Sequence, residues 1–193
     1  MASTEDVKKL RDATGISVMQ CKQALEEAGG DYDKALQILQ EKGAAIAAKK
    51  ADRDLGAGAV SAYIHSNRAA GSMVLLLSET DFVSNNEEFV ALAYDIAMHI
   101  TAANPAYLKR DDIPEERLAE INAMFDEEVA DKPDDLKEKI RQGKVDAYLK
   151  GIVLMEQEFI KDPEKTIRDL IDSATQKFGE RIEVGEFTRY STR

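Results

Sequence analysis

The hydrophobic period of this chain changes three times, and that alternation limits the folds open to it. Apolar residues recur at helical spacing through residue 53, and at strand spacing between residues 60 and 77. Helical spacing returns from 87 to 178, and residues 181–190 alternate again. Helices kept apart from a few strands point to an α+β fold, not to alternating βαβ units with a parallel sheet.

Residues 1–43 read as three short helices punctuated by glycine. Thr4 is a candidate N-cap for the first, with Val7 and Leu10 inward and Thr14-Gly15 at its end. Ser17 caps a second, with Val18, Cys21, Leu25 and Ala28 on one face, and Gly29-Gly30 stops it. Asp31 caps a third, with Tyr32, Ala35, Leu36 and Leu39 inward, and Gly43 closes it. Such narrow apolar faces can be buried only against one another, which predicts a compact three-helix module. Residues 44–57 follow as an Ala-rich helical linker ended by Gly56-Ala57-Gly58. Residues 58–193 then make a core domain.

In that core, Val60, Ala62 and Ile64 are expected to face inward from a half-buried strand. The run from Met73 to Leu77 suits a strand covered on both faces, paired with the first as an antiparallel hairpin. Phe89, Leu92, Ala93, Ile96 and Ile100 form the inner stripe of a helix that Asn104-Pro105 ends. A helical excursion spans about 114–153, with Leu118, Ile121, Phe125 and Val129 inward. Breaks are expected at Asp131-Lys132-Pro133 and near Gly143. Pro163 is expected to open a last helix carrying Ile167, Leu170, Ile171, Ala174 and Phe178, ended by Gly179. A third strand runs from Arg181 to Tyr190, with a shift of phase at Gly185.

Composition narrows the function. Lys and Arg number 26 against 37 Asp and Glu, a net charge of −11, which argues against a protein whose main task is gripping nucleic acid. The single cysteine, Cys21, cannot make an intrachain disulfide, and two histidines are too few for a His-rich metal site. No run approaches the ~20 apolar residues that span a bilayer, and no basic-then-apolar leader is visible, so a soluble cytoplasmic protein is expected. Phosphate-loop, zinc-protease, nucleophile-elbow and Cys-x-x-Cys motifs are missing, and no paired carboxylates are arranged around a pocket. A non-enzyme without cofactor or metal is therefore expected.

Two features are not explained by packing. Met19 lies ~100° from Val18 around the second helix, on the side of Lys22 and Glu26. It is either an adaptable apolar contact or a lone surface methionine beside solvated charges such as Arg11 and Lys22. The second feature is the segment Ser78-Glu79-Thr80-Asp81-Phe82-Val83-Ser84-Asn85-Asn86, where polar residues surround Phe82 and Val83. Phe82 is either a binding anchor on a loop or a staple folded onto the next helix.

Residues 10–25, Leu-Arg-Asp-Ala-Thr-Gly-Ile-Ser-Val-Met-Gln-Cys-Lys-Gln-Ala-Leu, closely resemble the N-terminal signature of bacterial elongation factor Ts. Thr80-Asp81-Phe82-Val83 resembles that family's second signature. The likeness continues through residues 44–53, Ala97-Met98-His99-Ile100 and Gly179-Glu180-Arg181-Ile182, and so spans nearly the whole chain in family order. The length is similar to that of short members with a single core unit. The resemblance implies a guanine-nucleotide exchange factor for elongation factor Tu, the GTPase that delivers aminoacyl-tRNA. It also implies a ubiquitin-associated (UBA-like) form for the three-helix module. Asp81 and Phe82 would then approach the GTPase's nucleotide domain, with Phe82 wedged between its helices and its Mg²⁺ and phosphate sites disturbed. Arg11, Met19 and Lys22 match further contact positions, as do His99, Phe178 and Gly179. Short members act as homodimers that bind two GTPases, which implies a heterotetramer.

The chain departs from the family pattern at Leu75 and Leu77, where Glu and Asn are common, and at Val18, where Met is common. The first departure leaves room for an alternative, a repurposed module that holds a partner without exchanging its nucleotide. With Cys21 in the N-terminal module, a dimer must rest on packing and not on a disulfide through the last strand.

Overall fold

A computed structural model describes residues 3–129 and 133–192. Its helices are α1 (Thr4–Thr14), α2 (Val18–Glu27), α3 (Tyr32–Lys49), α4 (Asp81–Ser84), α5 (Glu87–Ala103), α6 (Glu115–Glu128), α7 (Asp134–Ile152) and α8 (Ile167–Phe178). Its strands are β1 (Ala57–Ile64), β2 (Ala70–Ser78), β3 (Glu158–Phe159), β4 (Asp162–Thr166) and β5 (Ile182–Ser191). The fold is α+β, with a three-stranded antiparallel sheet in the order β1-β2-β5 and a separate β3-β4 hairpin. The described residues within 1–61, 74–95 and 168–185 make one compact unit, and those within 62–73, 96–167 and 186–193 a second.

In the first unit the N-terminal helices start where local chemistry dictates. Ser3, one residue ahead of the expected Thr4, caps α1 by accepting from the Asp6 N–H at 3.0 Å. Ser17 and Asp31 cap α2 and α3 by accepting from the N–H groups of Gln20 at 3.4 Å and Lys34 at 3.0 Å. Gly15 ends α1 at φ 68°, a left-handed conformation that favours glycine. Leu10, Cys21, Ala24, Leu25, Ala35 and Leu39 share one core. Val18, expected in that stripe, is 55% exposed. Ile16, just ahead of the helix, belongs to the core instead and closes its end before Val18 is reached.

Gly43 does not close α3, which runs on to Lys49, so the helical stretch expected from residue 44 continues α3 without a break. A Cβ on Gly43 would lie 3.1 Å from Gln176 Oε1 and 3.3 Å from the Asp172 carbonyl oxygen of α8. The glycine permits a close approach of two helices; it is not a stop signal.

The sheet corrects one expected face. Ala57, Ala59, Ser61 and Tyr63 are the half-buried residues of β1, while Val60 and Ile64 are 63% and 71% exposed. Both alternating sets carry apolar residues, so pairing decides the phase. The hairpin is set in register by the His65 N–H, which donates to the Ala70 carbonyl at 2.9 Å. Along β2, Ser72, Val74, Leu76 and Ser78 are buried. Leu75 and Leu77 are half-buried, and a Cβ on Gly185 of β5 would meet Leu77 Cδ1 at 2.9 Å and Leu75 Cδ2 at 3.3 Å. The bare glycine leaves their side chains room. Burial along β5 slips by one residue at Gly185-Glu186, the predicted shift of phase.

In the second unit, Ile121, Phe125, Val145, Leu149 and Val153 pack together in the helical excursion. Leu118, expected inward, is 37% exposed. Helix α7 passes through Gly143 without a break. Asp131 and Lys132, expected to interrupt the excursion, lie outside the described residues. Pro163 does not open the last helix; it sits in β4, and α8 starts at Ile167. A two-stranded hairpin consists only of edge strands, where the missing N–H of proline is tolerated.

Candidate functional site

The segment after β2 folds as the single turn α4, not as an irregular loop. Ser84 N–H donates to the Thr80 carbonyl at 3.2 Å, and Asn85 N–H to the Asp81 carbonyl at 3.0 Å. Asn86 starts α5 by accepting from the Glu88 N–H at 2.9 Å through its side chain. Within this turn Val83 is buried and Phe82 is 84% exposed. Successive helical residues point ~100° apart, so burying Val83 turns Phe82 away from the interior. The inward staple is therefore Val83, and the Phe82 ring is not folded onto the next helix. Asp81 stands exposed next to it.

The base of α4 is held by charge. Thr80 makes no cap bond to its own helix. Instead its N–H donates to Glu180 Oε2 at 3.0 Å and its hydroxyl to Glu180 Oε1 at 2.6 Å. The neighbouring Glu79 carboxylate accepts from the Arg181 N–H at 2.6 Å and from Arg53 at 2.9 Å. Lys50 Nζ lies 4.0 Å from it. Burial alone would push the Glu79 carboxyl up, but the Arg181 N–H, Arg53 and Lys50 outweigh it and hold its pKa below the ordinary value. None of Glu79, Glu180, Arg53 and Arg181 was a candidate from the sequence, although Glu180 and Arg181 lie in the matching segment that begins at Gly179.

The other expected contact residues separate into two groups. Met19 is 71% exposed on the outer face of α2. Arg11 and Lys22 are exposed and pair only loosely, each 3.8 Å from its partner, Asp12 and Glu26 respectively. Phe178, half-buried, meets Phe89 edge-on with ring centroids 6.2 Å apart. Gly179 ends α8 at φ 72°, and its carbonyl accepts from Lys50 Nζ at 2.5 Å. His99, in the second unit, is fully buried. Its Nε2 lies 3.0 Å from Gln157 Oε1, and its Nδ1 has no hydrogen-bond partner among the described residues. Burial lowers its pKa, more than the Gln157 bond raises it. In the free chain it is a core histidine, with no exposed surface.

No group of three or more His, Cys, Asp or Glu among the described residues could hold a metal ion. No helix among them is long and apolar enough to cross a membrane.

The family model for elongation factor Ts matches residues 4–193. A relative from Thermodesulfovibrio yellowstonii named elongation factor Ts is 46% identical over 185 residues, covering 95% of this chain and 92% of that one. One from Desulfitobacterium hafniense with the same name is 47% identical, covering 95% and 86%. Another, from Thermosipho melanesiensis, is 43% identical and covers 99% and 98%. The chain belongs to the elongation factor Ts family.

Proposed function

We propose that the chain is the guanine-nucleotide exchange factor of elongation factor Tu. It binds the GDP-bound GTPase, inserts the Phe82 ring and disturbs the partner's Mg²⁺ and phosphate sites, so that GDP leaves. The observation that carries this reading is the ring itself, 84% exposed on a turn whose neighbour Val83 is buried. A large aromatic held in water gains free energy only when something else covers it. Asp81 beside it supplies a negative charge where the partner's own metal ligands must be perturbed. Met19, Arg11 and Lys22 form a second contact, and Phe178 and Gly179 support the first from within the same unit.

The energetics suit exchange without chemistry. Burying one Phe is worth ~1.5–3 kcal/mol, and each ~1.4 kcal/mol of coupling changes nucleotide affinity about tenfold. Phe82 therefore accounts for one or two powers of ten, and the distorted Mg²⁺ shell, which demands near-octahedral geometry, supplies the remainder. Coupling is reciprocal, so fresh nucleotide expels the factor. In a stopped-flow assay with labelled GDP, Phe82→Ala is expected to slow stimulated release by roughly 10–100-fold at an unchanged melting temperature. Undiminished stimulation would overturn the wedge. Asp81→Ala is expected to give a smaller defect that varies with Mg²⁺ concentration.

The reading extends to a homodimer that carries two GTPases. In the second unit Ala62, Ile64, Met73 and Tyr190 line an open apolar groove of about 400 Å³, a face suited to a second copy of the chain. The alternative, a module that holds its partner without exchanging nucleotide, rests on Leu75 and Leu77, whose side chains lie over Gly185, and a pull-down without exchange activity would favour it.

A further inference from the structure

We propose that Glu180 is a positioning residue for Phe82, its carboxylate fixing the start of α4 and so the direction in which the ring leaves the surface. This inference rests on the contact role of Phe82. A single helical turn does not stabilise itself, because nucleation orders several residues for one hydrogen bond. Helix α4 has four residues, and Thr80, at its N-cap position, contributes no side-chain cap. The ring, 84% exposed, cannot be aimed by packing of its own. Its direction is inherited from the backbone of α4, which needs anchors at both ends. Val83 anchors the inward face. Glu180 anchors the beginning, by accepting two hydrogen bonds from one residue at 3.0 and 2.6 Å.

The anchor is itself fixed. Gly179, left-handed at φ 72°, turns the chain from α8 toward β5 and leaves Glu180 beside the end of β2. Lys50 holds the Gly179 carbonyl at 2.5 Å, and the guanidinium of Arg181 holds the Arg53 carbonyl. The two turns also grip each other reciprocally. Glu180 binds the Thr80 N–H, and Glu79 binds the Arg181 N–H at 2.6 Å. Each segment gives one carboxylate and one backbone donor, so neither can shift along the other without breaking both. This assigns a task to the segment Gly179-Glu180-Arg181-Ile182, which touches the site through Thr80.

The test uses the whole chain and a bacterial Tu-type GTPase. Glu180→Ala is expected to lower stimulated GDP release roughly tenfold at subsaturating factor, equivalent to ~1.4 kcal/mol of lost coupling. Glu180→Gln keeps the geometry, its amide oxygen accepting from the Thr80 N–H and its amide nitrogen donating to the hydroxyl, and is expected to restore release. In a Phe82→Ala background the Glu180→Ala change is expected to add nothing, since it acts through the ring. Equal release by wild type and Glu180→Ala, or a loss that adds in full to that of Phe82→Ala, would overturn the proposal. Amide hydrogen exchange on the free chain provides a readout without the partner. Exchange at residues 80–84 is expected to quicken in Glu180→Ala and not in Glu180→Gln, and unchanged exchange in both overturns the clamp. If Phe82→Ala leaves release intact while Glu180→Ala quickens exchange, the contact reading falls and the clamp stands.

Discussion

A buried imidazole, one nitrogen of which has no hydrogen-bond partner among the described residues, makes the stability of this fold depend on pH. His99 is fully buried, and burial holds its pKa below the ordinary histidine value. The unfolded chain, with an ordinary pKa near ~6.5, takes up a proton before the folded one does. Stability is then complete above that value and is lost as pH falls toward the depressed folded pKa. Glu79 adds a separate and more acid window. Its carboxyl is held below the ordinary value, so its contribution is present above about 4.5 and lost as pH falls further. The melting temperature of the wild-type chain is expected to decline between pH 7 and 5. In His99→Leu it is expected to be lower at pH 7, since Gln157 loses a partner, but flatter over the same interval. Parallel profiles for the two chains would refute the assignment. Any exchange defect in His99 variants is expected to follow their stability, because a partner does not reach a side chain with no exposed surface.

Two helical glycines show how an element can be misread from its residues. Gly43 and Gly143 both invite the reading of a stop, and both lie inside continuous helices. They differ in their surroundings, for a Cβ at 143 would have nothing within 4 Å, whereas one at 43 would press on α8 at 3.1 and 3.3 Å. Gly143→Ala is expected to raise unfolding stability by ~0.5–1 kcal/mol through helix propensity alone. Gly43→Val is expected to cost ~1–3 kcal/mol by overpacking. Denaturant titration of the two variants checks both signs, and a stabilised Gly43→Val would show that α3 and α8 can separate freely. The same distinction explains what was legible beforehand. The caps at Ser17 and Asp31, the left-handed end at Gly15 and the slip at Gly185 depend on neighbours a few residues away, and all were readable. The outward face of β1 was not, because pairing with β2 chose between two apolar sets. Pro163 resembles a helix opener because a start signal carries no information about an edge strand. The prominence of Phe82 was readable as one of two possibilities, but its support was not. Thr80 and Glu180 stand 100 positions apart, and only the fold brings them to 2.6 Å.

At the scale of the molecule, the apolar groove of the second unit and the strong negative charge make opposite demands. Ile64 at 71% exposure, Met73 at 48% and Tyr190 at 76% are costly to leave in water, and such patches on soluble proteins mark interaction sites. Two copies of a chain with net charge −11 nevertheless repel each other. The proposed association through this face would be driven by apolar burial against a Coulomb penalty, which salt weakens because the screening length shrinks to ~10 Å at 0.1 M. Light scattering is expected to give a mass twice the 21.4 kDa of the chain, with the dimer tighter at higher salt. Ile64→Asp together with Tyr190→Glu is expected to shift the population to monomer while circular dichroism stays unchanged, since neither side chain belongs to the buried core. Reducing agent is expected to have no effect, because the sole cysteine is buried in α2 and cannot bridge strands. A dimer that loosens as salt rises would instead be held by ion pairs, and the groove would not be its interface. A monomer at all salt concentrations would leave each chain to serve its GTPase singly, with the Phe82 site complete in one copy.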